Sequence, residues 1–153
     1  MSTTFPDGKI PERSALATCG GSNRSPALSW SGASSGTKSY VVAMRSLDAP
    51  VPGVLWHWLL FNIPASVTQL AEGADPSSLP GGATDGTNDF GRRQYDGPCP
   101  RVGDAPNHYR LIVVAVDVPQ LPGVGPNTTG AALTLLLHGH VLGFGRIERH
   151  YAP

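Results

Sequence analysis

The stretch Tyr109–Val118, YRLIVVAVDV, decides the fold. Leu111 to Val116 are all apolar, half of them valine, with no glycine or proline among them. β-branched residues favour the pleated backbone. An apolar run without alternation reads as a strand covered on both faces, and therefore an inner one. Working outward, Val54–Ile63, VLWHWLLFNI, is apolar and aromatic-rich but too short for a confident helix, and reads as a buried strand. Ser39–Leu47, SYVVAMRSL, is a compact β-type run, stopped by Asp48-Ala49-Pro50-Val51-Pro52-Gly53, where proline fixes φ and lacks a donor. Residues 26–37, PALSWSGASSGT, read as a short strand and a turn, and 143–153 as a terminal strand. The one good helix candidate is Asn127–Leu142, with Thr128 or Thr129 as its cap. Residues 64–89 and 91–106 are long segments rich in glycine and proline, of the kind that carries function. Strands and helices do not alternate, which excludes a doubly wound parallel sheet. The expectation is a single mainly β domain over residues 1–153, antiparallel, with a peripheral helix.

Composition narrows the function. The chain has 153 residues, 11 basic and 11 acidic, so its formal charge is zero. A strongly basic nucleic-acid binder and a polybasic membrane binder are excluded. No apolar run approaches the ~20 residues of a membrane span, so no stable membrane insertion is expected. Met1–Pro11 has neither a charged nor an apolar leader segment, and a cytoplasmic location is the expectation. In that compartment Cys19 and Cys99 are expected as free thiols. No cysteine–histidine cluster suggests a metal, and no cofactor motif is present. His138 and His140 are two apart and fall on different faces of a helix, which argues against a metal pair.

The polar groups in or beside the two long segments are Asp48, His57, Arg92, Arg93, Tyr95, Asp96, Cys99, Asn107, His108 and Tyr109. His57 stands between Trp56 and Trp58, and a period of two puts it on one strand face and both tryptophans on the other. It is either a core histidine bonded to a carbonyl or an imidazole at the floor of a pocket. Asp48 is either a turn residue or a carboxylate that orients His57. Gly97-Pro98-Cys99-Pro100 is either a rigid loop or a stretch presenting N–H groups to an anion. Arg92-Arg93 reads as a solvated pair. Cys99 has no adjacent base to make it a nucleophile.

Several short motifs stand in a telling order. They are Ser25-Pro26-Ala27-Leu28-Ser29-Trp30, Asp48-Ala49-Pro50, His57-Trp58 with Asn62-Ile63-Pro64, Asp89-Phe90-Gly91, Tyr95-Asp96-Gly97-Pro98-Cys99-Pro100 and Gly139-His140-Val141-Leu142. In order and spacing the chain resembles the phosphatidylethanolamine-binding protein family, in its short bacterial, Raf kinase inhibitor-like branch, over about residues 3 to 151. The resemblance implies a large antiparallel sheet packed on a smaller one with one or two short peripheral helices. It also implies a small, pre-formed, anion-binding pocket lined by a DPDAP segment, a strand histidine, a GxGPP-like loop and an H-x-Y segment. Asp48, Pro50, His57, Gly97, Pro98, Cys99, Pro100, Asn107 and Tyr109 are the positions it assigns to that pocket. The chain departs from the pattern at Ser46 and Leu47, which replace the first Asp-Pro, at Cys99 and Arg101 in the loop, and at Asn107, which replaces a histidine. His108 falls on the neighbouring position, which a regular strand turns away from the pocket. These departures suit the pocket to neutral polar groups, with Arg101 as a charge at the rim.

Two functions follow. The preferred one is a non-catalytic protein that binds a small molecule. The other is a small-molecule enzyme, an isomerase, cyclase or hydrolase of the secondary-metabolism kind, with Asp48, His57 and Tyr109 as acid–base groups. A homodimer is left open.

Overall fold

The computed structural model describes residues 1–5 and 9–153. Five strands form the large sheet: β3 (Ser39–Ser46), β4 (Leu55–Pro64), β6 (Thr84–Asp85), β7 (Asn107–Val116) and β8 (Val141–Tyr151). Their order is β6-β4-β3-β7-β8, with every neighbouring pair antiparallel. A small antiparallel sheet, β1 (Ser2–Thr4), β2 (Leu28–Ser31) and β5 (Gln69–Leu70), packs on one face of it. The expected two-sheet architecture is what the chain forms. The middle strand is β3, with β7 beside it and paired along both edges.

The unbroken apolar runs are explained by two cores, one on each face of the large sheet. Along β7, Tyr109, Leu111, Val113 and Ala115 enter the core between the sheets, where Leu28, Trp30, Tyr40 and Met44 also lie. Val114 and Val116 enter the other, with Val41, Ala43, Leu59, Phe61 and Leu133. Leu133 belongs to the helix α1 (Gly130–Leu136), which lies over the outer face. Of the two candidate caps, Thr129 accepts from the Ala132 N–H at 3.3 Å. The helix is shorter than the run 127–142 suggests. A turn through Gly139, at φ +84°, ends it, and Val141 is already paired with Val116 in β8.

Two further expectations are corrected. Along β4, the pair Met44–Trp58 is followed by Arg45–Trp56, so His57 is an extra residue, a β-bulge. The bulge breaks the period of two. Trp58 packs against Tyr95 between the sheets, whereas Trp56 lies on the outer face under Arg45. The tryptophans therefore sit on opposite faces. Cys19 and Cys99 are not free thiols but a disulfide, with Cα atoms 5.5 Å apart. Leu16 N–H donates to the Pro98 carbonyl at 3.1 Å, and this pairing of the N-terminal segment with the 97–100 loop brings the two cysteines together.

On the edge strand β6, Asp85 accepts from the Trp58 indole N–H at 3.1 Å, and burial raises its pKa to about 6. Its charge is therefore tolerated less in the folded chain than in the unfolded one. Stability is highest with the acid protonated and falls as pH rises from about 4 through about 6. Asp85→Asn keeps the acceptor and removes the charge. It is expected to stabilise the protein by about 1–2 kcal/mol at pH 8, allowing for partial exposure, and to change little at pH 4. Urea unfolding at the two pH values checks this; an equal effect at both would refute it.

Candidate functional site

The bulge gives His57 its position, and Asp96 fixes its chemistry. Asp96 N–H donates to the His57 carbonyl at 3.0 Å, and the His57 ring Nδ1 lies 2.7 Å from the Asp96 carbonyl oxygen. A carbonyl only accepts, so Nδ1 carries the proton. Burial holds the imidazole below its ordinary pKa, outweighing the Asp96 hydrogen bond that favours the charged form. The ring is therefore neutral near pH 7, with Nε2 as a bare acceptor. Tyr109 and Phe90 hold it edge-on, at ring centroids of 5.3 and 5.2 Å.

The Asp96 carboxylate is fully buried and anchors the loop behind the histidine. It accepts from Asn88 Nδ2 at 2.6 Å, Gln94 Nε2 at 2.9 Å and Arg92 Nε at 2.8 Å, with Asn23 Nδ2 at 3.4 Å. Arg92 is thus ion-paired rather than simply solvated, while Arg93 reaches Asn127. Gly97 is required for a different reason: a Cβ there would sit on the Ser14 carbonyl oxygen.

In front of His57 lies a cavity of about 140 Å³. Its polar wall is Ser46, His57, Asn107 and Tyr109; Ala49, Pro50, Leu55, Phe90 and Cys99 complete it. Two of its lining residues carry a buried polar atom without a hydrogen-bond partner, His57 Nε2 and Ser46 Oγ. Burial raises the Tyr109 phenol above its ordinary pKa, outweighing the Asn107 side chain and the Cys99 backbone, which act the other way. Wall and ligand-facing groups are all uncharged near neutral pH.

The structure thus brings together Pro50, His57, Cys99, Asn107 and Tyr109 from the expected set. It does not bring Asp48. That carboxylate is exposed and accepts both the backbone N–H, at 2.6 Å, and the ring Nδ1 of His108. These bonds hold it below the usual carboxylate range. His108 faces outward, as strand alternation requires, with its ring 4.0 Å from that of His150. Gly97, Pro98 and Pro100 stand outside the lining, and the stretch offers few donors to an anion. Prolines have no N–H, and Gly97 N–H is taken by Asn23 Oδ1 at 2.8 Å. Arg101 is exposed and also outside the lining. Ser46, marked in the sequence only as a departure, is in the wall, as is Phe90 of the Asp-Phe-Gly motif. Asn23, Asn88 and Gln94 lie outside every short motif, and no local pattern announces them.

Comparison with known proteins agrees with this architecture. The family model described as "Phosphatidylethanolamine-binding protein" matches residues 1–152. The chain is 41% identical to the protein YbcL of Escherichia coli (strain K12) over 136 residues, 87% of this chain and 74% of that protein. It is 34% identical to YbhB of the same organism, covering 99% of this chain and 98% of that one. Among solved structures, that of E. coli YbcL, titled a new member of the mammalian PEBP family, superposes with a TM-score of 0.91. It is 36% identical and covers 99% of this chain and 98% of that one. A homologue titled as putative, CT736 of Chlamydia trachomatis, gives 0.82 at 29% identity, covering 100% of this chain and 93% of that one.

Proposed function

The chain belongs to the phosphatidylethanolamine-binding protein family, and from that we propose that it is a binding protein for a small, neutral, polar molecule seated at His57. The observation that carries this reading is the pair of orphaned buried atoms, His57 Nε2 and Ser46 Oγ, in one cavity wall. Native proteins leave few such atoms unsatisfied, because each costs about 1–3 kcal/mol. A ligand that satisfies both must donate to Nε2, which has only a lone pair, and exchange a hydrogen bond with the serine. Hydroxyl and amide groups meet that demand. A fully ionised carboxylate has no proton to donate. The volume, well under the roughly 300 Å³ of an ordinary ligand pocket, admits one polar group of a larger molecule or a small molecule whole.

Acetamide, acetate and inorganic phosphate at millimolar concentration, observed through the Asn107 amide and Tyr109 ring resonances, test this. Acetamide is expected to shift both, with an affinity flat from pH 7.5 to 8.5. A histidine pKa below its ordinary value keeps the ring neutral throughout that range, and acidification protonates it. Acetate is expected to bind only as pH falls and the ring takes up a proton. His57→Ala should weaken acetamide about tenfold. Phosphate binding at pH 7 with no response to acetamide would replace the neutral ligand by an anion; a response unchanged in His57→Ala would remove the site.

The acid–base enzyme has less support, because Asp48 is engaged by His108 and not by His57. Among the described residues no helix is long and apolar enough to cross a membrane. The disulfide supports work in an oxidising compartment in place of the cytoplasm.

A further inference from the structure

We infer that the outer face of the large sheet carries a second ligand site, built for a small amphipathic carboxylate. The site is separate from the His57 cavity and independent of the reading given to it. A groove of about 260 Å³ runs between the sheet and α1, walled by Val41, Ala43, Ile112, Val114, Leu133 and Leu137. Its lining is almost wholly apolar except at one end, where Arg45 and Trp56 stand together. Val141, exposed and in the lining, and Phe144, exposed and paired with Val114, continue the apolar surface.

Arg45 makes this groove more than an unfilled seam. Its guanidinium lies 5.4 Å over the Trp56 ring, and its Nε is buried without a hydrogen-bond partner. Its cross-strand neighbour is another arginine, Arg110, which is ion-paired to Glu148. Arg146, opposite Ile112 on β8, adds a third positive charge. Around Arg45, three arginines including itself thus stand against one glutamate, and Arg45 is paired to no carboxylate among the described residues. Desolvation, then the charge of Arg110, with a smaller contribution from Arg146, holds the Arg45 guanidinium below its ordinary pKa, while Glu148 acts the other way. An anion arriving at Arg45 relieves this repulsion and pairs the orphaned Nε. The planar guanidinium matches a carboxylate, which takes two parallel hydrogen bonds from it. Taking about 30 Å³ for a water-sized group, the groove holds roughly nine non-hydrogen atoms. A saturated tail of about eight carbons, or one aromatic ring on a short chain, fills it.

The probe is octanoate, with 1-octanol as its uncharged counterpart. Trp56 lies in the groove, whereas Trp30 and Trp58 are buried in the other core, so the Trp56 indole resonance reports occupancy. Octanoate is expected to shift that resonance saturably and to bind about tenfold or more tightly than octanol. Arg45→Gln should remove this advantage and leave octanol unaffected. Thr134→Trp, an exposed position on α1 that lines the groove, should block both ligands. His57→Ala and added inorganic phosphate should change neither. Thermal unfolding checks that both groove variants fold. Equal octanoate affinity in Arg45→Gln, loss of binding in His57→Ala, or displacement of octanoate by self-association in sedimentation would each overturn the assignment. The last would give the groove to a second copy of the chain.

Discussion

Asp96→Ala is expected to destabilise the protein by about 3–5 kcal/mol, the loss of several hydrogen bonds to one fully buried, charged acceptor, each worth about 1.5–3 kcal/mol. The carboxylate has no exposure and accepts from Asn88, Gln94 and Arg92, with Asn23 at the edge of bonding distance. Alanine removes the acceptor these donors share, and Asn88 Nδ2, deeply buried, keeps only its longer bonds to the Gln94 and His57 carbonyls, at 3.0 and 3.3 Å. The backbone of the same residue pairs with His57, so the damage reaches the cavity. In a chain of this length the loss corresponds to a fall in Tm of roughly 10 °C or more. Asp96→Asn keeps one acceptor and should recover part of it. Thermal and urea unfolding measure the effect; a cost under about 1 kcal/mol for alanine would show that these donors reach water instead.

Loss of the Cys19–Cys99 bridge, by reduction or by the double alanine variant, is expected to cost about 4 kcal/mol. The bond spans 80 residues and so restricts a large part of the unfolded chain, which the loop-entropy relation values at about 4–5 kcal/mol. The native chain also depends on it locally, because Cys99 is in the cavity wall. Unfolding in urea with and without dithiothreitol gives the cost directly. The same midpoint under both conditions, with free thiols verified, would refute it. A further outcome is expected for the site: reduction should weaken acetamide binding, while leaving octanoate at the outer groove unchanged.

Most of the fold was legible in a few apolar runs. The composition of 109–118 places that strand inside the sheet because both of its faces are covered by core, and the two proline breaks around 50 and 52 mark a strand end that the structure keeps. What the runs conceal is register. A bulge leaves no signature in composition, since it is created by how β4 pairs with β3, so the faces of Trp56 and Trp58 could not be read from alternation. The disulfide was hidden for a related reason: it depends on the contact of residues 14–24 with 95–99, distant in sequence, and the compartment argument pointed the other way. In the site, the lining histidine, asparagine and tyrosine were visible as positions in motifs. The clamp on Asp96 was not, because Asn23, Asn88 and Gln94 are ordinary polar residues until the chain brings them to one carboxylate. Asp48 shows the opposite failing, a residue whose motif is present but whose side chain a neighbour has claimed.

The supernumerary position of His57 separates scaffold from chemistry. Without that residue Met44–Trp58 and Arg45–Trp56 would simply be successive rungs of a regular ladder, and both indoles would stay on their present sides. The main-chain clasp to Asp96 asks only for a peptide group, which any amino acid supplies. Descendants of this chain can therefore exchange the side chain at 57, and with it the molecule recognised, while inheriting the two-sheet architecture unaltered.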